Sequence, residues 1–368
     1  MSGPGRVAIH TDAARVTSGG GLTYVTAIAA ALTDPHDVDL FLPFASSREE
    51  LATWMPAWPG QAHVRREPPN RSWRDEVRLA RGDRRWAVAL RETSAIPRLT
   101  LARRSVLVTS FPFAPVRRAR DRARLASYSS VIANSAFTAD WVAERWKRRA
   151  EVLHPPVNAV TPREKRRVIL AVGRFSDGGR SKRQLEMVDA FRSLGPDVHD
   201  GWELQLAGFV EDASYVAAIR DRASGLPVTV LPDLDRPSLE RRYGEASIFW
   251  HACGLGVDQG LEPHRVEHFG ITTAEAMSAG CVPIVLSAGG QPEIVGPDDD
   301  AGVLWHTEDE WIDATLAIIG DEDRRARLSA GARARAARFS FEAFARRARA
   351  LVLGHGPPDA PVAQSGRR

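Results

Sequence analysis

Lysine is almost missing from this chain. Only Lys147, Lys165 and Lys182 occur among 368 residues, and the other 47 basic residues are arginine. The 50 basic and 46 acidic residues leave a formal net charge of +4. The positive charge is dispersed instead of gathered into a basic tail, which argues against nucleic acid as a partner. The sequence pI of about 9.4 partly reflects arginine's high pKa. Cysteine is equally scarce. Cys253 and Cys281 are too few for a disulfide framework, and no Cys/His cluster has zinc spacing, so two free, mostly buried thiols are expected. No apolar run reaches the roughly 18 residues that a membrane span needs. The first 30 residues lack the basic, apolar and small-residue succession of a secretory signal. A cytoplasmic protein is expected. No period of about 20 to 50 residues recurs, which excludes a solenoid.

What is present is an alternation. "RVAIH" (6–10), "VDLFL" (38–42), "SVLVTS" (105–110) and "SVIANS" (130–135) read as buried strands between segments with apolar residues at helical spacing. After "HPPVNAVTPREKRR" (154–167), read as an interdomain linker, the pattern starts again. Its strands are "VILAVG" (168–173), "WELQLAG" (202–208), "VTVLP" (228–232), "ASIFWH" (246–251) and "CVPIVLS" (281–287). The fold class is therefore α/β, with two Rossmann-like doubly wound domains over 1–157 and 158–339. An amphipathic helix follows over 340–353, then a tail (354–368) too polar and Pro/Gly-rich to fold alone. In open parallel sheets ligands bind beyond the carboxyl ends of the strands, and two such domains facing each other make an interdomain cleft.

The stretch "EHFGITTAEAMSAG" (267–280) carries the most chemistry. A helix is expected from about Gly270 and Ile271 to Gly280. Ile271 and Thr272 would offer backbone N–H groups at its positive end, a site for phosphate. Glu275 lies about one turn further in, where a carboxylate could accept both hydroxyls of a ribose whose diphosphate rests on the helix tip. Glu267, before the corner, would face the group beyond the diphosphate. The same two glutamates also suit a solvated helix position and a favourable charge before a helix N-terminus.

"VGRFSDGGRSKRQLEMVDAF" (172–191) places Arg174 and Lys182 around a Gly-rich loop at a strand end. Cations there would stabilise the charge that develops on a leaving diphosphate; as an alternative, either is merely solvated. "TSGGGLTYV" (17–25) would let the amides of Gly20 and Gly21 approach an anion, or is only a tight turn. It is no Walker loop, since no Gly-Lys-Ser/Thr follows. His251, where a strand ends, is a substrate contact or a structural histidine; His264 and His268 read as loop residues.

Together, "EHFGITTAEAMSAGCVPIVLSAGGQPEIV" and "VGRF…SKRQ", with the GGG loop, "ANSAFTADWVAERW" (133–146) and "LHPPV" (153–157), resemble the retaining glycosyltransferases of family 4. The resemblance covers most of the chain. It implies a GT-B fold: two facing Rossmann-like domains with the active site in the cleft, the final helix crossing back onto the first domain. It implies a retaining transfer of sugar from a nucleoside-diphosphate sugar, the co-substrate, to a hydroxyl acceptor, with no cofactor and no metal. Glu275 would hold the ribose, Glu267 would lie near the transferred sugar, Arg174 and Lys182 would hold the diphosphate, and Gly20 and Gly21 would close on it. No Asp-x-Asp metal motif stands in a plausible place. The proton of the attacking hydroxyl would pass to a phosphate oxygen, without a covalent enzyme intermediate.

This chain departs from the family pattern twice. Seven residues separate Arg174 from Lys182 where many members have four. The histidine many members carry in the N-terminal domain is absent from "VTSFPFAP" (108–115), so either His10 or no histidine takes that part. Other classes on the same scaffold are a phosphorylase, an epimerase, or a non-catalytic sugar-nucleotide or glycan-binding protein; the intact Glu267, Glu275, Arg174 and Lys182 argue against the last. The arginine-rich stretch 71–104, with Trp73 and Trp86, reads as a surface helix with a solvated basic face or as a contact with anionic membrane.

Overall fold

The computed structural model describes residues 5–12, 20–43, 61–68, 70, 72–179 and 181–354. The chain divides into unit 1, residues 1–156 with 341–368, and unit 2, residues 157–340. Gly19 of the glycine triplet and tail residues 355–368 lie outside the described residues.

Unit 1 is built on seven parallel strands: β1 (Arg6–Thr11), β2 (Asp37–Leu42), β3 (His63–Arg66), β4 (Val88–Glu92), β5 (Ser105–Thr109), β6 (Ser130–Ala133) and β7 (Glu151–Val152). Their order is β3-β2-β1-β4-β5-β6-β7, so the chain reverses direction across the sheet between β1 and β4. Unit 2 repeats this with β8 (Arg166–Val172), β9 (Glu203–Gly208), β10 (Val228–Pro232), β11 (Ala246–His251), β12 (Val282–Leu286) and β13 (Val303–Trp305). Its order, β10-β9-β8-β11-β12-β13, reverses between β8 and β11. Both are Rossmann orders, and a ligand site is expected at each reversal, beyond the carboxyl ends of the strands.

Strand burial explains why these runs are Val-, Ile- and Leu-rich without alternation. Strands β4, β5, β11 and β12 are buried along their whole length, because helices cover both sheet faces. The short strands β3, β7 and β13 lie at sheet edges, and with β4 they escaped the sequence reading. Among β3's four residues only Val64 is aliphatic, and β4 includes Arg91 and Glu92.

The final helix, Phe341–Leu353, belongs to unit 1. Its buried residues Phe344, Ala345, Ala348 and Val352 form one helical stripe. They join a core that includes Tyr24, Ile28 and Leu32 of the helix Gly20–Leu32. Arginines fasten the helix: Arg349 donates to Ala31 O at 2.7 Å, Arg347 to Val152 O at 3.0 Å, and Arg104 to Leu351 O at 2.9 Å.

The boundary between the units falls inside the stretch 154–167, between Pro156 and Val157, and the residues after it are packed: Val157 and Val160 lie in the core of unit 2 and β8 begins at Arg166. Within it Lys165 Nζ donates to Ala246 O (2.7 Å) and Ala279 O (2.8 Å), the caps of the helices Arg236–Glu245 and Ile271–Ser278. The basic stretch 71–104 is not one surface helix. Helix covers Trp73–Gly82 only, Trp86 is buried, and Arg91 and Arg98 are inside, because β4 runs through the segment as a central strand. Among the described residues no helix is long and apolar enough to cross a membrane.

Phe344→Ala should empty a packed position between the final helix and the sheet. A loss of about 3–5 kcal/mol in chemical denaturation is expected, and a loss below about 1 kcal/mol would mean that the helix does not carry the unit 1 core.

Candidate active site at the strand ends of unit 2

The carboxyl ends of β8 and β11, on either side of the reversal in unit 2, bring together Arg174, Lys182, His251 and Glu267. β8 ends at Val172, and Gly173 and Arg174 follow; β11 ends at His251. Lys182 Nζ donates to Glu267 Oε2 at 2.5 Å, and His251 Nε2 lies 3.5 Å from the same oxygen. The lysine and glutamate side chains are only 20% and 22% exposed, which removes the solvated reading of Lys182. Burial opposes the Lys182 charge, but the Cys253 sulfur and the Glu267 carboxylate outweigh it and raise its pKa. Burial likewise favours neutral Glu267, yet Lys182 and His251 more than offset it and hold the acid well below its ordinary range. Burial, helped by the Lys182 charge, lowers the His251 pKa. The site thus holds an ammonium, a carboxylate and a neutral imidazole.

Glycine makes this arrangement possible. A Cβ on Gly173 would lie 2.5 Å from Lys182 Cγ, and one on Gly208 would lie 2.0 Å from Gly173 O. The extra residues between Arg174 and Lys182 are absorbed by a turn, in which Ser181 N donates to Gly178 O at 2.8 Å. Gln184 Nε2 then pins the loop to Gly173 O and Arg174 O, each at 3.1 Å. Lys182 therefore returns to the strand end despite the longer spacing, two residues before the helix Gln184–Ser193. Arg174, half-exposed, faces Glu211 at 3.3 Å. The loop after β12 supports Glu267 from behind: Gly290 N donates to Glu267 O at 2.9 Å, and a Cβ on Gly289 (φ 60°) would sit 2.0 Å from that oxygen.

The helix Ile271–Ser278 starts and stops as its sequence implies. Gly270 caps it at φ 118°, and Gly280, at φ 81°, follows its end. The N–H groups of Ile271 and Thr272 belong to its first turn, where no carbonyl four residues back can accept them. Beside this tip, Gln291 is 1% exposed, and a Cβ on Gly270 would be 2.6 Å from its Nε2. Neither amide atom of Gln291 has a hydrogen-bond partner among the described residues.

Glu275 is not a solvated helix residue either. It is 6% exposed, and Arg236 Nη1 donates to its Oε1 at 2.7 Å. Burial raises its pKa while Arg236 works against that rise. Buried polar atoms without partners among the described residues occur in this region: His251 Nδ1, Thr273 Oγ1, Arg236 Nη2 and the Gln291 amide. Sequence reasoning passed over Arg236, Tyr243 and Gln291. Gln291 stands inside the recognised stretch without a role, while Arg236 and Tyr243 come from a helix more than 30 residues upstream of Glu275. Of the predicted loop residues, His264 lies in a short turn (Pro263–Arg265) and His268 is buried. Among the described residues no group of three or more His, Cys, Asp or Glu could hold a metal ion.

Gly20 and Gly21 belong to unit 1, at the start of the helix Gly20–Leu32. A Cβ on Gly21 would lie 3.7 Å from Glu92 Oε1, at the carboxyl end of β4. Glu92 is buried, accepts a 2.6 Å bond from Thr11, and has its pKa pushed up to about 7 by burial. His10 is buried beside it on β1, stacked on Phe41 and bonded through Nδ1 to Glu67 at 2.5 Å.

Residues 157–335 match the profile of the family described as glycosyl transferases group 1. Unit 2 belongs to the glycosyl transferases group 1 family. Solved structures extend the likeness in fold to both units. A glycosyltransferase of Rickettsia africae superposes with a TM-score of 0.72 at 16% identity, covering 95% of this chain and 99% of that one. An Anabaena protein solved with UDP and glucose gives 0.67 at 16% identity over 93% and 97%. The fold is GT-B. Among curated relatives, a D-inositol 3-phosphate glycosyltransferase of Xylanimonas cellulosilytica is 34% identical over 135 residues, 36% of this chain and 28% of that protein. An alpha-1,3/1,6-mannosyltransferase of Neurospora crassa is 28% identical over 283 residues, 64% of this chain and 58% of that protein. The chain thus spans less than two thirds of the length of either relative.

Glu92 supplies a pH test. Its ordinary pKa is 4.5 and its folded value about 7, so between these the folded state binds more protons and stability falls as pH rises. Glu92→Gln should therefore stabilise the protein at pH 8, by up to about 3 kcal/mol, and far less at pH 5. Equal denaturant midpoint shifts at the two pH values would exclude the titration.

Proposed function

We propose that this protein is a retaining glycosyltransferase of family 4 that transfers a sugar from a nucleoside-diphosphate sugar to a hydroxyl acceptor, with no metal. The observation that carries this reading is the gathering of unpartnered buried polar atoms around the Lys182–Glu267 pair and the Ile271 helix tip. Buried polar groups ordinarily find partners, and a bound sugar nucleotide would supply them. The neighbours support it in kind: an Anabaena protein of the same fold was solved with UDP-glucose, and the curated relatives have glycosyltransferase names.

In this reading the diphosphate lies over the N–H groups of Ile271 and Thr272, between Arg174 and Lys182. Glu275 accepts from the ribose, and Glu267 lies against the transferred sugar. The bond from the anomeric carbon to the diphosphate oxygen breaks, and the acceptor oxygen bonds that carbon on the same face. The acceptor proton passes to a phosphate oxygen, so configuration is retained without a covalent enzyme intermediate. Lys182 and Arg174 meet the charge growing on the leaving diphosphate. Ionised Glu267 meets the positive charge at the anomeric carbon, and neutral His251 is able to hydrogen-bond a sugar hydroxyl. A nucleotide-sugar donor accords with a cytoplasmic enzyme.

Calorimetry with UDP, GDP, ADP and dTDP in the presence of EDTA tests the site. One nucleotide should bind at micromolar strength, and Glu275→Ala should weaken it about tenfold or more. No binding by any of the four to folded protein would remove the main support. Lys182→Ala should lower turnover at least tenfold with the fold intact; near-normal turnover would take Lys182 out of the site.

A contact with anionic membrane is the accompanying proposal for unit 1. Trp73 is 64% exposed and shares an open depression with Arg74, Val77, Arg78 and Arg81. A Trp above arginines suits an interfacial surface. Flotation with anionic vesicles should carry the protein upward, and Trp73→Ala should reduce the floated fraction severalfold; failure of the wild type to float would end the idea.

A further inference from the structure

We propose that Arg236 is a nucleoside-binding residue of this chain, which holds Glu275 in place through one nitrogen and donates through another to an oxygen of a ribose diol. The inference rests on the glycosyltransferase reading and deepens it.

Position comes first. Arg236 opens the helix that follows β10, so it lies on the side of the sheet where the strands have their carboxyl ends, as Arg174 and His251 do. Its backbone is fixed by Asp235, which caps the helix by accepting from Ser238 N at 2.8 Å. From there the guanidinium reaches two carboxylates. Nε donates to Glu240 Oε1 at 2.7 Å and Nη1 to Glu275 Oε1 at 2.7 Å. Nη2 is buried and has no partner among the described residues.

A purely structural ion pair does not account for this arrangement. Neutralising Glu275 needs one nitrogen, and a buried donor left without an acceptor costs about 1–3 kcal/mol. Tyr243, fully buried in the same helix, faces Glu275, and burial together with that charge raises its pKa. One unused guanidinium donor, Nη2, thus accompanies the carboxylate. A vicinal diol matches this set: one hydroxyl donates to the carboxylate, and an oxygen of the diol accepts from Nη2. A 2′-deoxyribose has one hydroxyl fewer and leaves part of the set unused.

The planar guanidinium is required, since a single rigid group must serve Glu275 and the ligand at once. A lysine in its place would keep the charge and lose the fork. The prediction therefore separates charge from geometry.

The test is calorimetry with UDP, GDP and ADP, each paired with its 2′-deoxy analogue, on the full chain and on Arg236→Ala and Arg236→Lys. For the nucleotide that binds, wild type should prefer the ribo form about tenfold. Arg236→Ala should weaken the ribonucleotide about tenfold and leave the deoxy analogue within about twofold, so that the preference collapses. Arg236→Lys should recover little of the preference, and both variants are checked by thermal unfolding; if the alanine variant is unfolded, the lysine variant alone decides. An unchanged ribo preference in a folded variant overturns this inference and leaves the glycosyltransferase reading standing. If wild type binds none of the three ribonucleotides, the functional reading fails and this inference falls with it.

Discussion

The geometry of unit 2 depends on one ion pair, Lys182 with Glu267. Two charges that are four-fifths withdrawn from water carry a desolvation cost that contact alone does not always offset. Here they are also fixed from both sides by backbone that approaches too closely for any side chain. Gly173 leaves room for the lysine stem, Gly208 leaves room for Gly173, and Gly289 and Gly290 lie against the carbonyls of Glu267 and His268. The carboxylate and the ammonium are therefore charged and placed before any ligand arrives, the condition under which electrostatic stabilisation is most effective.

Much of this was legible in the sequence, because its signals are local. Buried parallel strands read as unbroken aliphatic runs, and the Gly270 and Gly280 boundaries of the key helix follow from one residue type at each end. The contents of the site were legible where strand, loop and helix follow each other closely, as with Arg174 and Lys182. What escaped notice was non-local or disguised. β4 includes Arg91 and Glu92 and so resembled part of a basic surface segment, although both side chains are buried in unit 1. Arg236 and Tyr243 meet Glu275 only because the helix after β10 begins on the side of the sheet where the strands have their carboxyl ends, a juxtaposition no spacing rule reveals. The seven-residue gap before Lys182 looked like a displacement and is instead a loop that leaves and returns.

Unit 1 has a different electrostatic character at its own strand ends. Where unit 2 collects an ammonium and a strongly ionised carboxylate, unit 1 collects acids of opposite tendency. Glu67, bonded to His10 and Arg91, is held at about 2, and Glu92, with only a hydroxyl on it, is raised to about 7. Two glutamates at the carboxyl ends of one sheet thus occupy opposite protonation regimes: burial raises Glu92, while at Glu67 direct bonds from His10 and Arg91 outweigh burial.

Lys165 has a mechanical consequence. Its ammonium joins the caps of the helices Arg236–Glu245 and Ile271–Ser278, while the Arg236–Glu275 bond joins the same helices nearer their starts. Held at two points, the helices behave as a strut and not as two hinged rods. A ligand that met Glu275 would find the two helices already joined, so little of its binding energy would go to ordering them.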